Sequence, residues 1–374
     1  MLNKLLLIAV CLFTLGNVSS LSRFGGNNIY LYDIYLSFFN IGVFIWYIKR
    51  KQILIPLNIL FVVTFLIFSL LSTLFSIANY PISDQFLVLG YLVRFGNYSF
   101  FGFLIYILLK SKILLTIDFQ NILKLNFYLL FILNMAQYFL FRDISSLSIY
   151  GFDPHQNRLT GTFLDPNYMG IYLIIYFLFS ELTLNSRFVS ISSFIMILLT
   201  ESRSAFLTLL LALFILMFRS PKYLLFVALL FVFSFGTSFI NRIELTKAAN
   251  DSSNLRIESW KNAIQLYSLS PEFGIGFNNY RNMSKFFNLT SPENYYSNSS
   301  NSSDSSLLSI LVMTGGIGLF LFLLYLISFG LRVYDNLIYL AVIFFNSIFI
   351  NSLLFPTVCV LILLILNYNL ARKV

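Results

Sequence analysis

Charge is what this chain most lacks. Asp, Glu, Lys and Arg make up 10% of its 374 residues, where soluble domains carry about 25%. That shortage excludes an ordinary soluble domain, whose surface needs far more charged side chains. One histidine, His155, and two cysteines, Cys11 and Cys359, are present, and both cysteines fall in apolar runs. A disulfide framework and a His/Cys metal cluster are thereby excluded, and the sequence predicts neither a metal nor another cofactor. Alternating segments of about ten residues, the mark of a membrane β-barrel, are also missing. No internal repeat of roughly 20 to 50 residues is evident.

What is present is apolar sequence. Hydrophobic residues make up 58% of the chain, with 44 Phe among them. Runs of roughly 18 residues or more recur, each long enough to cross about 30 Å of hydrocarbon. The expectation is an all-α polytopic membrane protein, a single integral membrane domain over residues 1–374. Apolar runs between polar breaks predict about twelve helices, near 3–20, 29–48, 54–78, 85–109, 121–141, 167–184, 187–200, 204–219, 222–241, 306–329, 334–352 and 355–371. The N-terminus, MLNKLLLIAVCLFTLGNVSS, imitates a signal peptide, but a first membrane helix suits the rest of the chain better.

Basic residues orient these helices, because short cytoplasmic loops collect Lys and Arg. Lys4, the run Lys49–Arg50–Lys51, Lys110, Lys112, Arg219, Lys222, Arg372 and Lys373 all fall on one side of the predicted topology. Both termini are then cytoplasmic. The net charge of +9 is explained by topology, and no nucleic-acid partner is expected. Two long polar segments, residues 142–166 and 242–304, face the other side together. The second ends in the low-complexity tract YYSNSSNSSDSS.

Several residues in these segments suit anion chemistry. In GFDPHQNRLTGTFLDPNYMG, Asp165 and Pro166 read as N-cap and first residue of a helix, and Arg158 lies just upstream. A helix N-terminus attracts anions, although the same residues suffice as a plain cap. In TESRSA, Arg203 sits in a short turn between apolar helices, either as an interfacial arginine or as an anion ligand. Arg94 lies about nine residues inside its helix. An intramembrane charge needs a partner, and with no acid deep in another predicted helix an external anion is expected. In SSNLRIESWKNAIQLYSLSPEFGIGFNNY, Ile257, Trp260, Ile264 and Tyr267 recur at helical spacing, which predicts a surface helix near 253–269 with Arg256 beside its apolar face. Pro271 ends it, and Gly274 and Gly276 permit a tight turn.

Taken in order, RLTGTFLDPNYMG, LLTESRSAFL, LRIESWKNAIQLYSLSPEFGIGFNNY and DSSLLSILVMTGGIGLF resemble the O-antigen polymerase and ligase superfamily. The resemblance spans roughly residues 158–320; the first 140 residues or so share only helical character. It implies a fold similar to the membrane-embedded (GT-C-like) glycosyltransferases, with two large external loops, sited in the bacterial inner membrane with its active site facing the periplasm. It also implies transfer of a glycan from a polyprenyl diphosphate to an acceptor hydroxyl, without a metal. Membrane lipid and a chain-length regulator are the further partners it implies.

That chemistry needs a diphosphate clamp, and the guanidinium fork supplies one. Arg158 and Arg203 rank first, followed by Arg94 and Arg256. It also needs a group to take the hydroxyl proton. In the ligases a histidine opens the last motif, with Asn after it, Leu four residues on and Gly eleven residues on. Here that spacing begins at Asp304, with Ser305, Leu308 and Gly315 following. The departure favours a polymerase over a ligase. Asp304 is then a base, a sugar ligand or simply a helix cap, and His155 is a second candidate base. A flippase for the same lipid-linked glycan is the rival from another class. It would show two related halves and charged cavity residues, whereas polarity here is confined to two loops.

Overall fold

Apolar helices dominate the chain because each satisfies its own backbone, which hydrocarbon demands. The structure, a computed structural model, describes residues 2–24, 27–49, 56–80, 85–150, 152–234, 246–290 and 302–373. Its helices are α1 Leu2–Thr14, α2 Leu31–Ile48, α3 Leu57–Asn79, α4 Gln85–Lys110, α5 Thr116–Leu140, α6 Pro166–Phe179, α7 Arg187–Thr200, α8 Arg203–Met217, α9 Tyr223–Ser234, α10 Thr246–Tyr267, α11 Tyr280–Phe286, α12 Ser306–Gly330, α13 Tyr334–Phe349 and α14 Pro356–Lys373. Among the described residues seven helices are long and apolar enough to cross a membrane: α2 to α5, α6 with its following turn, α12 and α14. Shorter apolar helices, α1, α7, α8 and α13, stand beside them. The expected count of about twelve therefore rests partly on helices shorter than a full span.

α6 and α14 form the centre. Their spanning windows are 72% and 78% buried, against 33% for α2, α3 and α5, which lie at the rim. The rim helices turn Leu, Ile and Phe outward; Phe38 is 73% exposed and Ile132 is 62% exposed, as lipid-facing side chains should be. At one end of the bundle Arg219 pairs with Asp335 at 2.8 Å, Lys373 with the same carboxylate at 3.5 Å, and Lys222 with Glu181 at 2.8 Å. The polar segments that concern function gather at the other end.

Two expected elements differ. The first helix stops at Thr14 rather than near residue 20. A 3-10 turn, Gly16–Ser19, and an antiparallel hairpin, β1 Ser20–Phe24 with β2 Asn27–Tyr30, follow. Gly16 has φ of +48°, and a Cβ there would lie 2.4 Å from the Phe163 ring. The close approach between the end of α1 and residues 161–163 therefore stops the helix. The end of the ninth predicted helix, 235–241, lies outside the described residues.

The larger difference is inside α12. Gly315, with φ of 68° and ψ of −176°, breaks this helix ten residues in. The Gly316 N–H, withdrawn from the helical ladder, donates to the Pro271 carbonyl at 2.8 Å. The freed carbonyls of Val312 and Met313 accept from Ile275 and Gly276 N–H, each at 3.0 Å. The Ser72 hydroxyl of α3 also donates to Met313 O at 3.0 Å. Gly274 and Gly276, expected only to make a tight turn, thus seal a broken helix. Both have positive φ, and a Cβ on Gly274 would meet Gly315 N at 2.5 Å.

Gly315→Ala places its Cβ 2.0 Å from the Glu272 carbonyl oxygen. On top of that overlap, a non-glycine residue held in a disfavoured backbone region costs about 1–3 kcal/mol. Thermal unfolding in detergent is expected to show a large loss for this variant. Gly42→Ala, which meets nothing within 4 Å, is expected to leave the midpoint unchanged or slightly raised.

Candidate functional site

The first polar segment folds back on itself before entering α6. Asp143 bridges Gln156, Ile144 N–H donates to His155 O at 3.1 Å, and Asn157 N–H donates to Arg142 O at 2.8 Å. Gln137 on α5 then accepts the Thr160 and Gly161 N–H groups on its side-chain oxygen, at 3.0 and 2.9 Å. α6 starts as its sequence predicts: the Asp165 carboxylate accepts from Asn167 N–H at 2.7 Å, and Pro166 occupies the first turn.

Arg158 lies across the C-terminal end of α7. Its Nε donates to Thr200 O at 2.9 Å and an Nη to Glu201 O at 3.2 Å. The last carbonyls of a helix lack intrahelical partners and carry partial negative charge, so a cation there is stabilising. Arg158 therefore braces the TESRSA turn. Ser202 ties the same turn to α6, donating to Asn167 Oδ1 at 2.7 Å, and caps α8 by accepting from Ala205 N–H at 3.3 Å. Glu201 between them is left-handed, with φ of 47°. The outcome is that Arg203, the first residue of α8, points outward and is exposed. Among the described residues no group pairs with its guanidinium.

Asp304 arrives from the other polar segment. Its backbone N–H donates to Ser259 Oγ of α10 at 3.2 Å, and its side chain is half-buried. It does not cap α12. Ser305 does so, accepting Leu308 N–H on its Oγ at 3.3 Å, which removes the capping reading of Asp304. The neighbouring serines also hold structure. Ser305 and Ser306 donate to Ser347 O on α13 and Ile350 O just past its end, at 2.9 and 3.1 Å, and Ser309 donates to Ser303 O at 3.0 Å. The carboxylate of Asp304 is left free of these duties.

Four charges meet at Asp304. Burial pushes its carboxyl above the usual range, Arg256 on α10 pulls it back, and Asp153 and Asp165 push it up again. Asp165 is likewise raised, chiefly by burial, against the lowering pull of its Asn167 hydrogen bond, Arg158 and Arg256. Tyr280 on α11 is raised by burial and by the Asp304 charge. The fold thus brings Asp304, Arg256, Arg158, Asp165 and Asp153 into one electrostatic neighbourhood, drawn from both polar segments.

Sequence reasoning missed two members of this neighbourhood. Asp153 gave no signal beyond lying two residues before His155. Asp165 was read only as a cap. Asp153, His155 and Asp165 also bring one ligand atom each within 4.8 Å of one another. Two acids and one histidine are a different set from the His/Cys cluster that the sequence excluded. They are the residues of this site whose chemistry suits a divalent ion, although Asp165 already accepts the cap bonds with one oxygen.

Arg94 belongs elsewhere. The expectation that no acid pairs with it is overturned by Asp33, three residues into α2, whose carboxylate lies 2.8 Å from an Nη. The guanidinium also donates to Asn28 O and lies over the rings of Tyr91 at 4.7 Å and Tyr30 at 5.4 Å. Tyr98 donates to the second Asp33 oxygen at 2.5 Å. Asp33 escaped the sequence reading because it sits near a helix start.

Residues 188–323 match the protein family described as O-Antigen ligase. The matched stretch contains Arg203, Arg256, Asp304 and the break at Gly315, while Arg158, Asp153 and Asp165 fall before it. No curated protein matches the chain.

The Arg94–Asp33 pair sets a stability test. Both side chains are largely enclosed, at 13% and 15% exposure, so Arg94→Ala leaves a carboxylate buried without its counter-charge. Removing one partner of a buried pair costs about 3–5 kcal/mol. Arg94→Ala is expected to unfold markedly earlier on heating in detergent, and the double variant with Asp33→Asn to recover part of the loss.

Proposed function

We propose that this chain is a surface-polysaccharide polymerase of the bacterial inner membrane, acting at its periplasmic face. It transfers a glycan from a polyprenyl-diphosphate donor to a hydroxyl of an acceptor repeat unit. The observation that carries this reading is a half-buried carboxylate, Asp304, at the mouth of an apolar bundle under the electrostatic pull of Arg256, both inside the stretch matching the O-antigen ligase family. Lys110, Arg219, Lys222 and Lys373 fall toward the opposite end of the helices, which supports cytoplasmic termini and a periplasmic site.

In this reaction the acceptor oxygen forms a bond to the anomeric carbon as the bond to the diphosphate oxygen breaks. The bonding pair and its charge leave with the lipid diphosphate, and the hydroxyl proton passes to Asp304. Arg203 and Arg256 balance the departing charge. Arg203 is suited to this because it is exposed and without an internal partner among the described residues. Arg158 contributes chiefly by shaping the turn that presents Arg203. The ligase reading, in which finished glycan passes to a lipid A core, uses the same groups. Asp304 in the position where ligases carry histidine favours the polymerase.

Arg203→Ala is expected to abolish long polymer while the protein still inserts and folds, and Arg158→Ala to lower both activity and thermal stability. A polysaccharide gel from cells carrying each variant, with membrane fractions blotted beside it, distinguishes these outcomes. In a deletion strain, a single repeat on lipid core indicates the polymerase. Loss of all attached glycan with lipid-linked polymer accumulating indicates the ligase, and cytoplasmic-facing single repeats indicate a flippase.

The raised Asp304 carboxyl makes a further prediction about pH. A base works deprotonated, so the rate rises with pH through its pKa, and the acid limb should lie above the ordinary carboxylate range. Arg256 lowers this pKa and Asp153 raises it. Arg256→Ala should therefore move the limb to higher pH and Asp153→Asn to lower pH, read as initial rates of chain extension. Limbs that coincide in both variants would exclude Asp304 as the base.

A further inference from the structure

Two segments run side by side from the site into the bundle. One runs from Ser259 of α10 past its end to Pro271, the other from Asp304 into α12 as far as Gly316. Their sequence separations are equal. They are pinned at the top by the Asp304 N–H on Ser259 Oγ, at 3.2 Å. At the bottom they are pinned by Gly316 N–H on Pro271 O at 2.8 Å and by the paired bonds of Ile275 and Gly276 to Val312 and Met313. Between the pins Ala263, Leu266, Val312 and Met313 share a small apolar core of their own.

The bottom pin is held from outside by α3. Ser72 donates to Met313 O at 3.0 Å, and Ser76 donates to Ile275 O at 2.5 Å. Thr73 Oγ1 accepts the Phe277 N–H at 3.0 Å, and Asn279 Nδ2 donates to Ser76 Oγ at 3.1 Å. These three hydroxyl residues lie on one face of α3, at the three- and four-residue spacings that share a face. They grip both partners of the pin, the loop and the broken helix.

The geometry points to Ser72, Thr73 and Ser76 as positioning residues that set the register of α10, which carries Arg256, against the entry to α12, which carries Asp304. A slip of one residue along a helix displaces a side chain by about 1.5 Å, and a slip of one turn by about 5.4 Å. Either displacement changes how strongly Arg256 acts on the Asp304 carboxylate. Apolar side chains of similar size would fill the same space on α3 but could not hold the carbonyls and the amide in place. The inference rests on the reading of Asp304 and Arg256 as the reacting pair, and its test separates the two.

Ser259→Cys and Asp304→Cys, in a chain carrying Cys11→Ser and Cys359→Ser, report how closely these two positions approach without any activity measurement. Disulfide yield under mild oxidation is expected to fall several-fold when Ser72→Ala and Thr73→Val are added. With Thr73→Ser, which keeps the hydroxyl, it is expected to stay at the starting level. Equal yields in all backgrounds would overturn the clamp. The second measurement uses the native cysteines and Asp304. Ser72→Ala with Thr73→Val should move the acid limb of the rate profile to higher pH, as Arg256 withdraws, and should add no further shift to Arg256→Ala. A uniform loss of rate with an unmoved limb would reduce these residues to packing and overturn the inference. If Asp304→Asn extends chains normally, the reading of the reaction fails, while the disulfide yields still decide the clamp.

Discussion

The carbonyls of Val312 and Met313 cannot be left bare. They sit in a helix long and apolar enough to span a membrane, where an unsatisfied backbone group costs several kcal/mol. Gly315 withdraws their helical partners, so the loop 271–277 must come down to replace them, and it brings α10 with it. Most of what distinguishes the second polar segment from a surface tail follows from this need. α10 stands against α12, Ser259 meets Asp304, and the charge of Arg256 acts on the acid. α3, a rim helix by its burial, becomes the anchor of the arrangement because its Ser and Thr face this break.

The helical character of the chain was legible in its sequence because hydrophobic run length and polar breaks are local signals. α7 begins and ends where the pattern predicts, and α6 begins at the expected cap. The break at Gly315 was not legible. Paired glycines in an apolar run are common enough in membrane helices that nothing local distinguishes a kink from a packing surface. Only the loop 271–277, far upstream in sequence, makes the break stable. The hairpin after α1 escaped for a similar reason, since it depends on the close approach of Gly16 to Phe163.

The site shows the same division. Residue type and order single out Asp304, Arg203 and Arg256 as candidates, and the family match falls on the stretch that contains them. What could not be read was how the arginines divide their work. Arg158 and Arg203 look alike in sequence, each beside a polar turn. Three-dimensional placement turns Arg158 onto helix-end carbonyls and leaves Arg203 facing outward. Arg94 looked the most exceptional because it lies deepest, yet Asp33, Tyr91 and Tyr30 surround it, and its charge is answered inside the protein.

The Ser-rich entry to α12 carries the remaining logic. A run of serines before a helix usually reads as flexible linker, but Ser303, Ser305, Ser306 and Ser309 each bond to backbone or cap it. Fastening the chain with hydroxyls instead of carboxylates leaves the one acid in the run uncommitted. That acid then sits among two further carboxylates and a guanidinium, where burial and like charge favour its protonated form and Arg256 opposes them. A group whose charge is set by such a balance responds to small displacements of any member. A rigid mount is therefore a condition of the role proposed for it, and the sealed break in α12 supplies that mount from below.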